Sequence, residues 1–259
     1  MIGIFDSGLG GLTAYKELHA LLPAGDFVYF GDTGRVPYGS RSREILTRYA
    51  RQDIRFLLRQ GADVILAACG TVSSVVLDDI KSDFSIPLFG VVDASVNAAL
   101  AATKNEKIGV IGTGATISSG AFAKKIAAAN PHAAVTSIAE PLFGPLVENG
   151  YIGRGCTVTR EVAADYLAPL RDEGIDTLIL GCTHFPIIAD IIGDLLPGVT
   201  LVNSGAAAAA EVAAVCGKTS GSGSASFFVS DSPVNFDTVA RVFLGGETIR
   251  AQKVDIEAY

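Results

Sequence analysis

Gly61-Ala62-Asp63-Val64-Ile65-Leu66-Ala67-Ala68-Cys69 and Gly174-Ile175-Asp176-Thr177-Leu178-Ile179-Leu180-Gly181-Cys182 follow one pattern. Each starts at a glycine, carries an aspartate two positions on, runs through a short apolar stretch and stops at a cysteine. A short apolar run between breakers reads as a buried strand. A second pair recurs in the same order, Ile2-Gly3-Ile4-Phe5-Asp6-Ser7-Gly8 being echoed by Ile108-Gly109-Val110-Ile111-Gly112-Thr113-Gly114. Strand-helix units look alike in general. Two matched pairs in matched order point further, to two similar α/β halves that each end a buried strand in a cysteine.

Working outward, further short apolar runs lie at 27–30, 88–92, 135–138, 200–202 and 227–229. Longer amphipathic stretches, such as 14–22, 43–59 and 158–170, stand between the runs. In 43–59, Ile45, Leu46, Tyr49, Ile54, Phe56, Leu57 and Leu58 mix with charged residues, as on a half-exposed helix. Strand, turn and helix in alternation mean an α/β fold with mainly parallel sheets. Active sites in such folds gather at the C-terminal strand ends. Residues 206–215 read as an Ala-rich helix and residues 218–226, rich in Gly and Ser, as a surface loop.

The chain has 259 residues, 49% of them apolar, enough for one or two domains with a sizeable core. Its 20 Lys and Arg stand against 27 Asp and Glu, a formal net charge of −7. Nucleic-acid binders need clustered cations to neutralise phosphates, so nucleic acid is not an expected partner. No apolar run approaches the roughly 20 residues that span a bilayer, and the N-terminus lacks the features of a signal peptide. A cytoplasmic protein without membrane contact is expected. The four cysteines, at 69, 156, 182 and 216, have neither Cys-x-x-Cys spacing nor a histidine at zinc-site spacing, so no metal site is expected. Cys156 and Cys216 are expected to be packing residues.

Cys69 and Cys182 differ from these two. Each follows a strand and precedes a hydroxyl residue, in Cys69-Gly70-Thr71 and Cys182-Thr183-His184. A thiol where a strand breaks into a helix N-terminus faces the active-site edge, and the free N–H groups there favour its thiolate. One such thiol serves as a nucleophile. Two facing each other could take a proton from one face of a carbon and return one to the other, the minimum apparatus for inverting a stereocentre. Candidate proton-steering neighbours are Asp6, at the end of the first strand, His184 beside Cys182, and Glu148 in the loop-like stretch 141–153. Asp6 also suits an N-cap near Gly10, and Glu148 a solvated surface position. The glycines of Asp6-Ser7-Gly8-Leu9-Gly10-Gly11 miss the dinucleotide pattern, with Thr13 in the third glycine position, and neither Gly-rich turn carries a P-loop Lys. Pro37-Tyr38-Gly39-Ser40 fits either a surface turn or a substrate-closing loop.

The ordered segments Phe5-Asp6-Ser7-Gly8-Leu9-Gly10-Gly11-Leu12, Gly31-Asp32-Thr33 with Pro37-Tyr38-Gly39, Ala68-Cys69, and Leu180-Gly181-Cys182-Thr183-His184-Phe185-Pro186 resemble the motifs of glutamate racemases, within the aspartate/glutamate racemase superfamily. The likeness runs nearly the full chain. It implies two α/β domains related by a pseudo-two-fold with the active site between them, the first formed by residues 1–95 plus 206–259 and the second by residues 96–205. It implies cofactor-independent racemisation of L- and D-glutamate in the bacterial cytoplasm, supplying D-glutamate for peptidoglycan, by a protein that forms homodimers. Cys69 would exchange the α-proton of D-glutamate and Cys182 that of L-glutamate, with Asp6, His184 and Glu148 assisting. Substrate contacts would fall on Asp6, Ser7, Tyr38, Gly39, Gly70, Thr71, Thr113, Thr116, Thr183 and His184. The family usually carries Asn where this chain has Gly70, which offers backbone alone. Losing a hydrogen bond to a charged group costs about 1.5–3 kcal/mol. Racemisation of another amino acid, and a one-thiol lyase or hydrolase on the same scaffold, are the alternative expectations.

Overall fold

The computed structural model describes residues 1–217, 221–231 and 236–259, the side chain of Asp237 excepted. Among these residues ten strands form two sheets: β1 (Ile2–Asp6), β2 (Phe27–Gly31), β3 (Val64–Ala67), β4 (Leu88–Gly90), β5 (Lys107–Gly112), β6 (Ala134–Ala139), β7 (Thr177–Leu180), β8 (Thr200–Asn203), β9 (Ala225–Val229) and β10 (Ala251–Lys253). One sheet has the order β10-β9-β2-β1-β3-β4, the other β6-β5-β7-β8. Every strand pair is parallel. The order β2-β1-β3-β4 of the first sheet is repeated by β6-β5-β7-β8 in the second, as the paired sequence segments require. β1 and β2 are buried along their whole length, the usual state of parallel strands covered by helices on both faces.

Three local expectations are corrected. The 88–92 run ends as a strand at Gly90, and the helix Val91–Ala102 begins there. Val92, Val96 and Ala99 of that helix pack on Ile108, Val110 and Ile179 of the second sheet, so the valines are buried by helix packing instead of strand pairing. Of the 218–226 stretch, residues 218–220 lie outside the described residues, and Ala225 and Ser226 open β9 against Phe27 and Val28. The 141–153 stretch contains a short helix, Phe143–Glu148. Its Pro145 sits in the first turn, where the missing N–H has no intrahelical partner to lose. β10, short and half polar, gave no apolar signal.

The two sheets share one core. Ile4, Leu12, Tyr29 and Leu66 of the first belong to the same buried cluster as Ile111, Leu178, Leu180 and Phe185 of the second. The Ala-rich helix Ser204–Cys216 adds Ala208, Ala209 and Val212 and packs on the helix Leu12–Leu21. Cys156 and Cys216 are half-buried. No helix among the described residues is long and apolar enough to cross a membrane.

At the C-terminal strand ends the two halves meet backbone to backbone. A Cβ on Gly70, the first residue of the helix Gly70–Val75, would collide with the carbonyl oxygen of Gly181. A Cβ on Gly181 would stand 2.7 Å from the carbonyl oxygen of Ile111. Gly70 thus has a steric reason to be glycine here. Forcing a side chain into a packed site costs about 1–3 kcal/mol. Gly70→Ala is therefore expected to lower the melting temperature by several degrees, read by thermal denaturation; an unchanged melting point would mean that this contact carries no constraint.

Candidate active site

Cys69 and Cys182 line one cavity of about 500 Å³ between the halves. A larger groove of about 810 Å³, on the outer face of the helix Arg43–Arg59, contains neither thiol. The cavity also takes Ser7, Tyr38, Gly39, Gly70, Thr71, Thr113, Glu148, Thr183 and His184 into its walls. Among the described residues, no group of three or more His, Cys, Asp or Glu is arranged to hold a metal ion.

Cys182 follows β7 and leads into the 3₁₀ turn Phe185–Ile188, which puts His184 directly beside it. The His184 Nδ1 lies 3.6 Å from Cys182 Sγ, and Nε2 lies 2.8 Å from Glu148 Oε1. Burial alone would depress this imidazole, but its bonds to Cys182 and Glu148 outweigh burial and lift it to about 10. His184 is therefore an imidazolium at neutral pH, donating toward the sulfur on one side and the carboxylate on the other. Glu148 is half exposed and ends its short helix, so it is a paired carboxylate and not merely a solvated one.

Cys69 stands at the N-terminus of the helix Gly70–Val75 and is 4% exposed. Burial, with the charge of Asp6 adding to it, pushes its thiol up to about 12, against hydrogen bonds from the Val72 N–H and the Ser7 hydroxyl. Asp6 ends β1, fully buried. Its Oδ2 accepts from the Gly8 N–H at 3.0 Å, and the helix Leu12–Leu21 has no side-chain cap. It is thus not the N-cap. Burial raises its carboxyl, while His184 and the Gly8 and Gly11 N–H groups oppose the rise. The Thr183 hydroxyl reaches Asp6 Oδ1 at 3.5 Å, joining the two halves.

The other hydroxyls form a second bridge. Thr71 and Thr113 lie 2.9 Å apart, and Thr113 and Thr116 lie 3.0 Å apart. Thr116 itself is buried beneath Thr113 and is absent from the cavity wall. Pro37-Tyr38-Gly39-Ser40 is both surface turn and cavity wall: Pro37 and Ser40 are exposed, while Tyr38 is 1% exposed, and the 3₁₀ turn Tyr38–Ser40 lines the cavity. The Tyr38 hydroxyl is directed at Asp32 and Asp53.

An Asp/Glu/Hydantoin racemase family model matches residues 17–212. A glutamate racemase of Geobacter metallireducens is 42% identical over 264 residues, covering 99% of this chain and 97% of its own. The chain belongs to the glutamate racemase family. Family structures agree with its fold: the glutamate racemase of Francisella tularensis, solved with D-glutamate, has a TM-score of 0.90 at 35% identity and covers 100% of this chain and 98% of its own. A Bacillus anthracis glutamate racemase gives a TM-score of 0.92 at 34% identity over 98% of this chain and 97% of its own. An aspartate racemase of Picrophilus torridus, at 20% identity and a TM-score of 0.60, shares the fold.

One wall residue of this glutamate racemase family member escaped the sequence reading. Glu140 follows β6 and borders the cavity at 2% exposure, yet neither carboxyl oxygen has a hydrogen-bond partner. The signal was in the duplication: Asp32 follows β2 as Glu140 follows β6, and their N–H groups bond equivalently, to the Asp6 and Gly112 carbonyls. Burial, helped by Asp165, pushes Glu140 up to about 8. The folded protein therefore keeps a proton that the unfolded chain releases near 4.5. Burying Glu140 weakens the fold progressively from pH 4.5 to about 8. Glu140→Gln is expected to raise the melting temperature by several degrees at pH 8.5 and to leave it unchanged at pH 4. A gain of equal size at both pH values would contradict the cause given.

Proposed function

We propose that the protein racemises glutamate without a cofactor, by two thiols acting from opposite faces of the α-carbon. What supports this most is the pairing of Cys69 and Cys182 in one cavity of a glutamate racemase family member. In the L-to-D direction the Cys182 thiolate takes the α-proton, and the carbanion is quenched on its other face by the Cys69 S–H. The site then holds a Cys182 thiol and a Cys69 thiolate, and proton exchange with water restores the start. A Cys69 held in its protonated form suits the donor. An imidazolium 3.6 Å from Cys182 Sγ suits the acceptor, by favouring negative charge there. Asp6 assists on the Cys69 side, and Glu148 fixes the His184 ring.

Ser7, Tyr38, Gly39, Gly70, Thr71, Thr113, Thr183 and His184, all in the cavity wall, are the proposed substrate contacts, while Asp6 and Thr116, buried behind it, act through Thr183 and Thr113. Among the described residues, no Lys or Arg lines the cavity, so the two carboxylates of glutamate would be met by N–H and hydroxyl donors. The Francisella tularensis relative was solved with D-glutamate and an Escherichia coli relative with L-glutamate, in keeping with a site that accepts both. The proposed domains are residues 1–95 with 206–259 and residues 96–205, in accord with the strands of each sheet. Supply of D-glutamate for peptidoglycan in the bacterial cytoplasm, by a homodimer, completes the proposal.

The test needs purified protein, deuterium oxide and L-glutamate, with no cofactor added. Loss of the α-proton NMR signal together with loss of optical activity is the expected result. Folded protein that exchanges no glutamate α-proton would overturn the substrate assignment. The same assay on a panel of amino acids would then show whether Gly70 marks another substrate.

A further inference from the structure

Behind the cavity wall lies a set of linked polar side chains whose hydrogen bonds reach neither thiol. Arg35 donates from Nε to Asp32 Oδ2 at 2.6 Å, from one terminal nitrogen to Asp53 Oδ1 at 3.1 Å, and from the other to Gln52 Oε1 at 2.5 Å and Glu257 Oε1 at 3.3 Å. Its guanidinium lies 4.0 Å from the Tyr49 ring centroid. Asp32 and Asp53 are fully buried, and both accept from the Tyr38 hydroxyl. Four separate pieces of chain are tied here: the end of β2, the helix Arg43–Arg59, the turn Tyr38–Ser40 and the final 3₁₀ turn Ile256–Ala258.

Buried polar groups on this scale need a reason, since an apolar core of the same volume is at least as stable. The reason lies in what Tyr38 carries. A three-residue 3₁₀ turn has little stability of its own, and among the described residues the side-chain hydrogen bonds of Tyr38 go to Asp32 and Asp53. Its neighbour Gly39 abuts Thr113 so closely that a Cβ would stand 2.9 Å from the Thr113 Cβ. A shift of the turn would therefore displace both the wall and the Thr71–Thr113 bridge.

We infer that Arg35 and Asp53 are positioning residues that hold the Tyr38–Ser40 wall in its substrate-binding place, acting through the Tyr38 hydroxyl. The inference rests on the glutamate-racemising function proposed above. It separates binding from chemistry: among the described residues, the side chains of this set make no hydrogen bond to either thiol, to the Asp6 carboxylate or to the His184 ring, so its loss should weaken binding of ground state and transition state alike and leave turnover intact.

The experiment measures KM and kcat for L-glutamate with Tyr38→Phe, Asp53→Ala, Asp53→Asn and Arg35→Lys, alongside thermal melting of each. Tyr38→Phe removes one hydroxyl and is expected to raise KM about tenfold with kcat within about threefold of wild type. Asp53→Ala should match or exceed it. Asp53→Asn still accepts from the phenol and should return KM to within about threefold. Arg35→Lys keeps the charge without the planar fork and should stay about tenfold impaired. Wild-type KM in folded Tyr38→Phe and Arg35→Lys would overturn the inference, as would a fall in kcat at unchanged KM. A wild-type protein that exchanges no amino-acid α-proton would instead refute the proposed function.

Discussion

Cys69→Ala and Cys182→Ala are each expected to abolish glutamate racemisation in both directions, by at least about a thousandfold. A proton donor or acceptor acting in the transition state contributes roughly 10²–10⁴ in rate. In a two-base reaction each enantiomer needs both thiols, one to remove a proton and one to return it. Both groups face the same cavity, and no third thiol is at hand, because Cys156 and Cys216 lie outside it. Serine variants assign the faces. In deuterium oxide, Cys69→Ser keeps Cys182 and should retain more α-proton exchange from L-glutamate, while Cys182→Ser should retain more from D-glutamate. A full-rate alanine variant would sink the two-base mechanism, and equal exchange of both enantiomers in both serine variants would sink the assignment of faces.

His184→Gln is expected to lower kcat by about a hundredfold and to remove an alkaline limb from the pH–rate profile. His184 is held at about 10 in the folded protein against 6.5 ordinarily. Its charge therefore supports the fold fully below pH 6.5, and that support is lost as pH rises through about 10. Activity that depends on an imidazolium beside Cys182 should fall over the same upper range. Glu148→Gln removes the carboxylate charge that helps to lift the imidazole, so the limb should move to lower pH. The half-exposed carboxylate is screened by salt, and the shift should shrink at high ionic strength. A limb that stays in place in both variants would remove His184 from the rate-limiting protonation. The profile is read from initial rates between pH 6 and about 11.

The fold was legible because it was written twice. The segments ending in Cys69 and Cys182, and those opening at Ile2 and Ile108, became β3, β7, β1 and β5, central in their sheets. Buried parallel strands leave continuous apolar runs, which a linear reading detects. β10, Ala251-Gln252-Lys253, has two polar residues among its three and leaves no such run, so it was missed. Within the site, Cys182 and His184 were legible as neighbours because one turn separates them. Their partner Glu148 stands in another element, and only folding brings its carboxylate to His184. The direction of a side chain was also hidden: Tyr38 lies in the wall, but its hydroxyl is committed to Asp32 and Asp53. Gly70 read as a missing amide; in the fold it is the point where two backbones touch. Such contacts are set by pairs of residues far apart in sequence, and no local pattern encodes them.

The two thiols occupy equivalent places in a duplicated frame, yet their surroundings differ. Cys69 is sealed beside Asp6, and Cys182 faces a cation. For a reaction between mirror images the equilibrium constant in water is unity, and the Haldane relation then requires the same kcat/KM in both directions. Unequal flanks have no power to bias such an equilibrium. They can trade saturation against turnover, so that one enantiomer is held more tightly and converted more slowly in equal measure. Net flow toward the D-isomer has to come from outside the protein, through whatever reaction removes it.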